Sequence, residues 1–321
     1  MDGMKRISIS TPFSVGRVNT YAFTKNGLTV MDPGPATEEA YETLQASLND
    51  IGHRIEAIDR VLITHPHMDH FGQAQRIVDE SGADVFAHAD AVDRLTDPIE
   101  YFKREQRYFR PFLSSMGMPQ NTVETVLELP EPYTDYQRPI EAVETVADGE
   151  TLDIGIELEC LATPGHVPGS LCFFAAAEDV LFTGDHVLPN VTPNPLLTLR
   201  PGTDDERTRS LPTYIESLGK MLDFESTTGY GGHGDPIADV EARARETISH
   251  HQERKEQIAG LIAEHETTTA YRIMREMFPE LPATEMFSGM SEVIGHFDML
   301  EDEGRVVIET TDGQTGYTLL Q

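Results

Sequence analysis

Apolar residues along the first two thirds of the chain come in short runs cut by polar turns. Ile7-Ser8-Ile9, Val61-Leu62-Ile63 and the runs around Cys160 and Cys172 are examples. Runs of that length between turn signals read as strands, several of them buried. A helical period takes over at residues 71–81 and again across about 90–128, before strand-like segments resume near Glu141. Beyond His233 the pattern changes. Residues 241–264 read as a long charged helix, 269–278 and 284–303 as two apolar-periodic helices. Arg305-Val306-Val307-Ile308-Glu309 and Tyr317-Thr318-Leu319-Leu320, joined by a turn at Asp312-Gly313, read as a hairpin. The pattern divides the chain into 1–250, with a helical insertion at about 90–128, and 251–321.

Composition narrows the class. A chain of 321 residues holds one large domain and a small one. No apolar stretch reaches the length of a membrane span, and the N-terminal residues lack a basic-then-apolar leader pattern, so no membrane partner and a cytoplasmic location are expected. The two cysteines read as free buried thiols, able to face each other across a hairpin but not required to. The net charge is −31, and arginine supplies 19 of the 24 basic residues. Such a surface repels itself unless ions are abundant, and the expected source is one with a salt-rich cytoplasm, such as a halophilic archaeon.

Chemistry concentrates where the third apolar run ends. Thr64-His65-Pro66-His67-Met68-Asp69-His70 carries three imidazoles and two candidate carboxylate oxygens just after Ile63. These are ligands that zinc, iron and manganese accept. In an extended stretch His65, His67 and Asp69 share a face, and a turn at Asp69-His70 swings the last pair toward a second centre. Four residues cannot complete two sites, so more donors are expected downstream. His166, Asp185 and His233 each follow an apolar run, and each has glycines beside it that let backbone approach closely.

With these residues in view, the sequence resembles the metallo-β-lactamase superfamily, from about residue 8 to 251. His65, His67, Asp69, His70, His166, Asp185 and His233 are similar to its ligand signature, Thr163-Pro164-Gly165-His166 to its threonine-proline-glycine-histidine turn, and Val30-Met31-Asp32-Pro33-Gly34 to an early strand whose aspartate braces the metal loop. The resemblance implies an α/β fold, a four-layer αββα sandwich with a dinuclear centre at one edge of its sheets. It implies one metal on His65, His67 and His166, another on Asp69, His70 and His233, and Asp185 between them. Two divalent ions are expected, zinc first, with iron or manganese compatible with the same donors. A hydroxide bridging the ions would be the nucleophile, with Asp69 and Asp185 as the catalytic carboxylates. Asp32 is the expected acceptor for the outer N–H of a ligating imidazole, and His186 is expected outside the ligand set.

Four further residues are expected to meet a small-molecule substrate. Arg107 and Arg110 lie with Lys103 on one face of a helix in the insertion, interleaved with aromatics, as a candidate lid; the same aromatics would alternatively pack on the core. Asn190 and Arg200 lie on a proline-rich loop after Asp185. Three helices and a hairpin at the C-terminus look like a winged-helix module. Between Lys255 and the end, however, four basic residues face 13 acidic ones. Nucleic-acid binding is therefore not expected, and a packing or homodimer-forming role is. The leading expectation is a dinuclear hydrolase of an ester, thioester, lactone or related acyl substrate. The alternatives are a phosphodiesterase or RNase of the same fold, and a ligand-sensing regulator that binds nucleic acid.

Overall fold

Strands that are apolar on both faces must be covered on both, and here that requirement builds stacked layers. The computed structural model describes residues 1–129 and 131–320. One sheet has six strands in chain order: β1 (Met4–Ile9), β2 (Val18–Phe23), β3 (Leu28–Met31), β4 (Ile58–Leu62), β5 (Asp84–His88) and β6 (Glu144–Val146). Its first three strands pair antiparallel and the rest parallel. The second sheet comprises β7 (Thr151–Asp153), β8 (Glu157–Ala162), β9 (Leu171–Ala175), β10 (Val180–Gly184) and β11 (Thr228–Gly231), in the order β11-β10-β9-β8-β7. A separate hairpin pairs β12 (Val306–Thr311) with β13 (Gln314–Leu319). The helices are α1 (Glu38–Asn49), α2 (Met68–Phe71), α3 (Ala74–Ser81), α4 (Val92–Thr96), α5 (Pro98–Ser115), α6 (Gln120–Glu128), α7 (Ser210–Lys220), α8 (Val240–Ala263), α9 (Ala270–Met277) and α10 (Met286–Asp302).

Side-chain alternation assigns each strand residue to a layer. In β4, Val61 joins a core with Leu44 and Leu48 of α1 and Ile77 of α3, while Leu62 turns to the core between the sheets. In β10, Val180 and Phe182 face that middle core, and Leu181 faces Leu211 and Tyr214 of α7 and Val240 of α8. Three successive cores thus separate helix, sheet, sheet and helix. The same alternation settles the cysteines. Cys160 stands opposite Phe173 and Cys172 opposite Leu161, and they fall in different cores, so the two thiols do not face each other. Both are free, and burial pushes both up to about 12, where a thiol is inert.

The helix expected over 71–81 is two pieces, α2 and α3. Gly72 lies between them in close contact: a Cβ there would sit 2.2 Å from the Tyr136 carbonyl oxygen and 2.4 Å from that of Met68. This crossing forces the break and holds α2 against its neighbours.

A fourth core joins the insertion to the C-terminal helices. Phe109, Leu113, Val123 and Val126 of α5 and α6 pack with Ile258 of α8, Ile273 of α9 and Val293, Ile294 and Phe297 of α10. The aromatics of α5 are part of it, with Phe109 edge-on to Phe287 at 5.4 Å. The α8 helix runs unbroken through residue 250, and α10 is buried at every position from Gly289 to Leu300 except the half-buried Glu292. A helix buried on nearly every side belongs in the middle of a protein, which is where α10 lies. Among the described residues no helix is long and apolar enough to cross a membrane.

Candidate metal centre

The donors meet because five chain segments end at one edge of the two sheets. After β4, residues 64–67 cross the edge, and α2 begins at Met68 so that Asp69 and His70 turn back toward the same point. The Gly165–His166 turn joins β8 to β9, Asp185 follows β10 directly, and His233 follows β11. Gly165 has φ +137 and lies so close to α7 that a Cβ would be 2.3 Å from Tyr214 Cα. Only glycine fits there.

Two groups of donors result. His65 Nε2 and His166 Nε2 lie 3.0 and 3.1 Å from His67 Nδ1. Nitrogens bound to one tetrahedral metal would be separated by roughly 3.3 Å, from bonds of about 2.0–2.1 Å. In the second group His233 Nε2 is 3.4 Å and His70 Nε2 3.8 Å from Asp69 Oδ2. Asp185 spans both. Its Oδ2 lies 3.3 Å from His233 Nε2 and 3.9 Å from the Nε2 atoms of both His65 and His166, and its Oδ1 lies 3.5 Å from His70 Nε2. Six of the seven donor residues are buried, and His67 is half-buried on the open side.

The far sides of three rings are tied down. His70 Nδ1 is 2.8 Å from Asp32 Oδ2, His233 Nδ1 is 2.8 Å from the Arg17 carbonyl oxygen, and His166 Nδ1 is 3.0 Å from that of Asn194. Asp32 sits at φ +49 and also accepts from Thr64 N (2.8 Å) and Thr64 Oγ1 (2.6 Å). The aspartate therefore holds the whole loop, as expected, and Thr64 is a contributor that the spacing of donors did not reveal. His186 is buried against Tyr214, its ring 5.2 Å away edge-on, and it stands outside both donor groups.

The electrostatics divide the two groups. Burial and neighbouring imidazoles hold His65, His67 and His166 below the usual histidine range, leaving neutral rings with lone pairs. Burial opposes charge on His70 and His233 too, but the carboxylates of Asp185 and Asp69 prevail; His70 is raised and His233 pushed up to about 10. Asp185, despite burial, is held well below the carboxylate range by His233 and His70. Within the described residues His70 Nε2, His233 Nε2 and Asp185 Oδ1 are buried without a hydrogen-bond partner. Orphaned polar atoms are costly unless something completes them, and three of them aimed at one point fit divalent cations.

The arginines expected at the substrate pair elsewhere. Arg107 bonds to Glu100 at 2.9 Å, Arg110 to Glu124 at 2.8 Å and Arg200 to Glu206 at 2.6 Å, and all three are at least 40% exposed. Among the described residues none of them bonds to the donor groups. Asn190 is exposed on the loop after β10, its Nδ2 4.0 Å from the position of a Cβ on Gly234, beside His233.

This donor arrangement on this fold defines a class. The model of the metallo-beta-lactamase superfamily matches residues 14–233, and the chain belongs to that superfamily, as one of its metal-dependent hydrolases. The chain is 29% identical over 312 residues to a probable metallo-hydrolase of Bacillus subtilis, YqjP, covering 97% of this chain and 96% of that one. It superposes on a metallo-beta-lactamase family protein of Thermus thermophilus, TTHA1429, with TM-score 0.82 at 27% identity, covering 100% and 99% of the two chains. Over a shorter stretch of 130 residues it is 31% identical to a thioesterase of Emericella nidulans, pkgB, covering 40% of this chain and 34% of that one.

Proposed function

We propose that the chain hydrolyses a small acyl substrate, an ester, thioester or lactone, at a pair of divalent metals, zinc in the first instance. The observation that carries the reading is the convergence of seven donors into two groups with Asp185 reaching into both. His65, His67 and His166 would hold one ion, and Asp69, His70 and His233 the other. When bound, the ions would supply Lewis acidity, lowering the pKa of a water and polarising the acyl carbonyl. The chain's own contribution is placement. Asp32, Thr64 and the carbonyls of Arg17 and Asn194 fix ring orientation, and Asp69 would orient the attacking water while ligating. The thioesterase among the similar chains supports the acyl class.

The C-terminal succession α8, α9, α10, β12, β13 is the order of a winged helix. We read it as a packing element at a homodimer contact, because its acidic composition disfavours phosphate. The same charge disfavours an RNase or a nucleic-acid-binding regulator. A salt-rich cytoplasm is the setting that suits the charge. The test is elemental analysis of the purified protein together with turnover of thioester, lactone, ester and phosphodiester panels in molar KCl. Two equivalents of metal and metal-dependent acyl cleavage support the reading; cleavage confined to phosphodiesters or RNA would overturn it.

A further inference from the structure

Outside the metal centre, one other group of donors converges among the described residues: His251 of α8 with Glu292 and His296 of α10. A ligand atom from each lies within 4.8 Å of those of the other two. Glu292 and His296 are one helical turn apart, so they share a face of α10. No residue belongs both to this group and to the first. The Tyr214 ring lies 5.2 Å from that of His186 and 6.0 Å from that of His251.

The setting is an apolar seam between two helices. Ala244 of α8 and Met299 of α10 share one core, and Ile258 of α8 and Val293 of α10 share another. His251 falls midway between Ala244 and Ile258 in sequence, and there two imidazoles and a carboxylate interrupt the packing. His251 is 1% exposed and His296 not at all, while the Glu292 side chain, 14% exposed, marks the open side.

Hydrogen bonds do not account for the three side chains. His296 Nδ1 donates to the Glu292 carbonyl oxygen at 2.6 Å, which leaves the lone pair on Nε2. His251 Nδ1 is 3.4 Å from that Nε2. The separation is long for a hydrogen bond, and close to the roughly 3.3 Å between nitrogens held by one tetrahedral ion. His251 Nε2 is buried without a partner among the described residues, which is costly in a seam of this kind. Glu292 Oε1 lies 3.8 Å from Arg254 Nε and 3.9 Å from His296 Nδ1, beyond hydrogen-bond reach of both. Burial, with Arg254 adding to it, holds both imidazoles below the usual histidine range and so neutral.

We propose that His251, Glu292 and His296 bind one further divalent ion of the zinc class, a structural ion that pins α8 to α10. Two neutral imidazoles and a carboxylate are a donor set that zinc accepts, with a water completing the tetrahedron on the Glu292 side. The pin bears on the first centre through α10, whose Ser288 and Ser291 hold Asn194 and Leu197 beside His166.

The test is zinc content of the full-length protein in molar KCl, which screens adventitious binding to surface acids. A background variant combining His65→Ala, Asp69→Ala and His233→Ala removes the dinuclear centre. Dialysed against zinc, it should keep one equivalent, and zinc X-ray absorption should show imidazole nitrogens at about 2.0–2.1 Å. Adding His251→Gln should release that ion with unaltered far-UV circular dichroism, and Glu292→Gln, at the half-buried position, should do the same. In the otherwise wild-type chain each of these two substitutions should remove one equivalent beyond the two of the dinuclear centre. A folded background variant without zinc, or zinc that survives both substitutions, overturns the proposal. Should the background variant not fold, the wild-type comparison decides: metal content unchanged by Glu292→Gln rejects the site. Equal metal content in wild type and the background variant would count against the dinuclear centre and leave this site to be judged by its own two substitutions.

Discussion

At the scale of single residues, Asp32 does the most at the least visible place. One carboxylate, at a left-handed backbone position, fixes the loop through Thr64 and the His70 ring through Nδ1. Asp32→Asn keeps the shape but removes the charge, and can present an N–H where Thr64 now donates. Loss of such an outer partner typically costs 10–100-fold in metal affinity. Competition against a chelator should show that loss for the ion on the His70 side, with the ion on the His65 side retained; equal retention of both would refute the assignment. His233 gives a pH dependence. Asp185 and Asp69 facing it push the imidazole up to about 10, above the ordinary histidine value of 6.5. In metal-free protein the resulting stabilisation is fully present below about 6.5 and is lost as pH rises toward 10. Urea unfolding of chelated wild type should therefore show falling stability across that window, and His233→Gln should flatten the slope. Metal-loaded protein, whose His233 lone pair is engaged, should lack the decline.

Between elements, the centre depends on helices that carry none of its donors. The Asn194 carbonyl oxygen accepts from His166, while Asn194 Nδ2 donates to the Ser288 carbonyl oxygen of α10 at 2.9 Å and Leu197 N donates to Ser291 Oγ at 3.1 Å. The α10 helix is in turn set against α7 by Gly295, where a Cβ would fall 2.7 Å from Leu211 Cβ. Gly295→Val would force the two helices apart, and overpacking of this kind costs about 1–3 kcal/mol. A denaturant midpoint within experimental error of wild type would show that the approach is looser than described. Much of this level was legible in advance. Short apolar runs marked β4 and β10, the helical period marked α8 to α10 within a few residues, and the seven donors stood out by type and spacing. Long-range contacts were not legible. Nothing local in the 71–81 pattern shows that residues 36 and 136 cross at Gly72 and split the helix, because the cause lies in other segments. Arg107 and Arg110 attracted attention by density of charge and Arg200 by its loop, yet each is paired with an acid on its own helix or turn or, for Arg110, on the neighbouring α6.

For the molecule as a whole, the surplus of acid decides how the fold responds to salt. If every one of the 24 basic residues took one of the 55 acids, 31 acids would still stand unpaired. Salt acts on these two populations in opposite senses. It weakens exposed pairs such as Arg200–Glu206 and Arg107–Glu100, each of which contributes about 0–1 kcal/mol. It also relieves repulsion among the surplus acids, a long-range term felt over about 10 Å at 0.1 M salt and only about 3 Å at 1 M. Clusters such as Asp204-Asp205-Glu206 and Glu301-Asp302-Glu303 concentrate that repulsion, although Arg104, Arg200, Arg209 and Arg305 each reach into one of them. With the surplus exceeding the number of available pairs, relief should prevail, and the urea midpoint should climb between 0.1 and 1 M KCl. Because excluded solutes also favour compact states, the decisive comparison is a variant in which exposed acids without an ion pair among the described residues, such as Asp50, Glu56 and Glu225, are changed to their amides. That variant should be the more stable of the two at 0.1 M and should gain less from added salt. Parallel salt curves for the two proteins would show that the charge of −31 is not what couples this fold to its ionic surroundings.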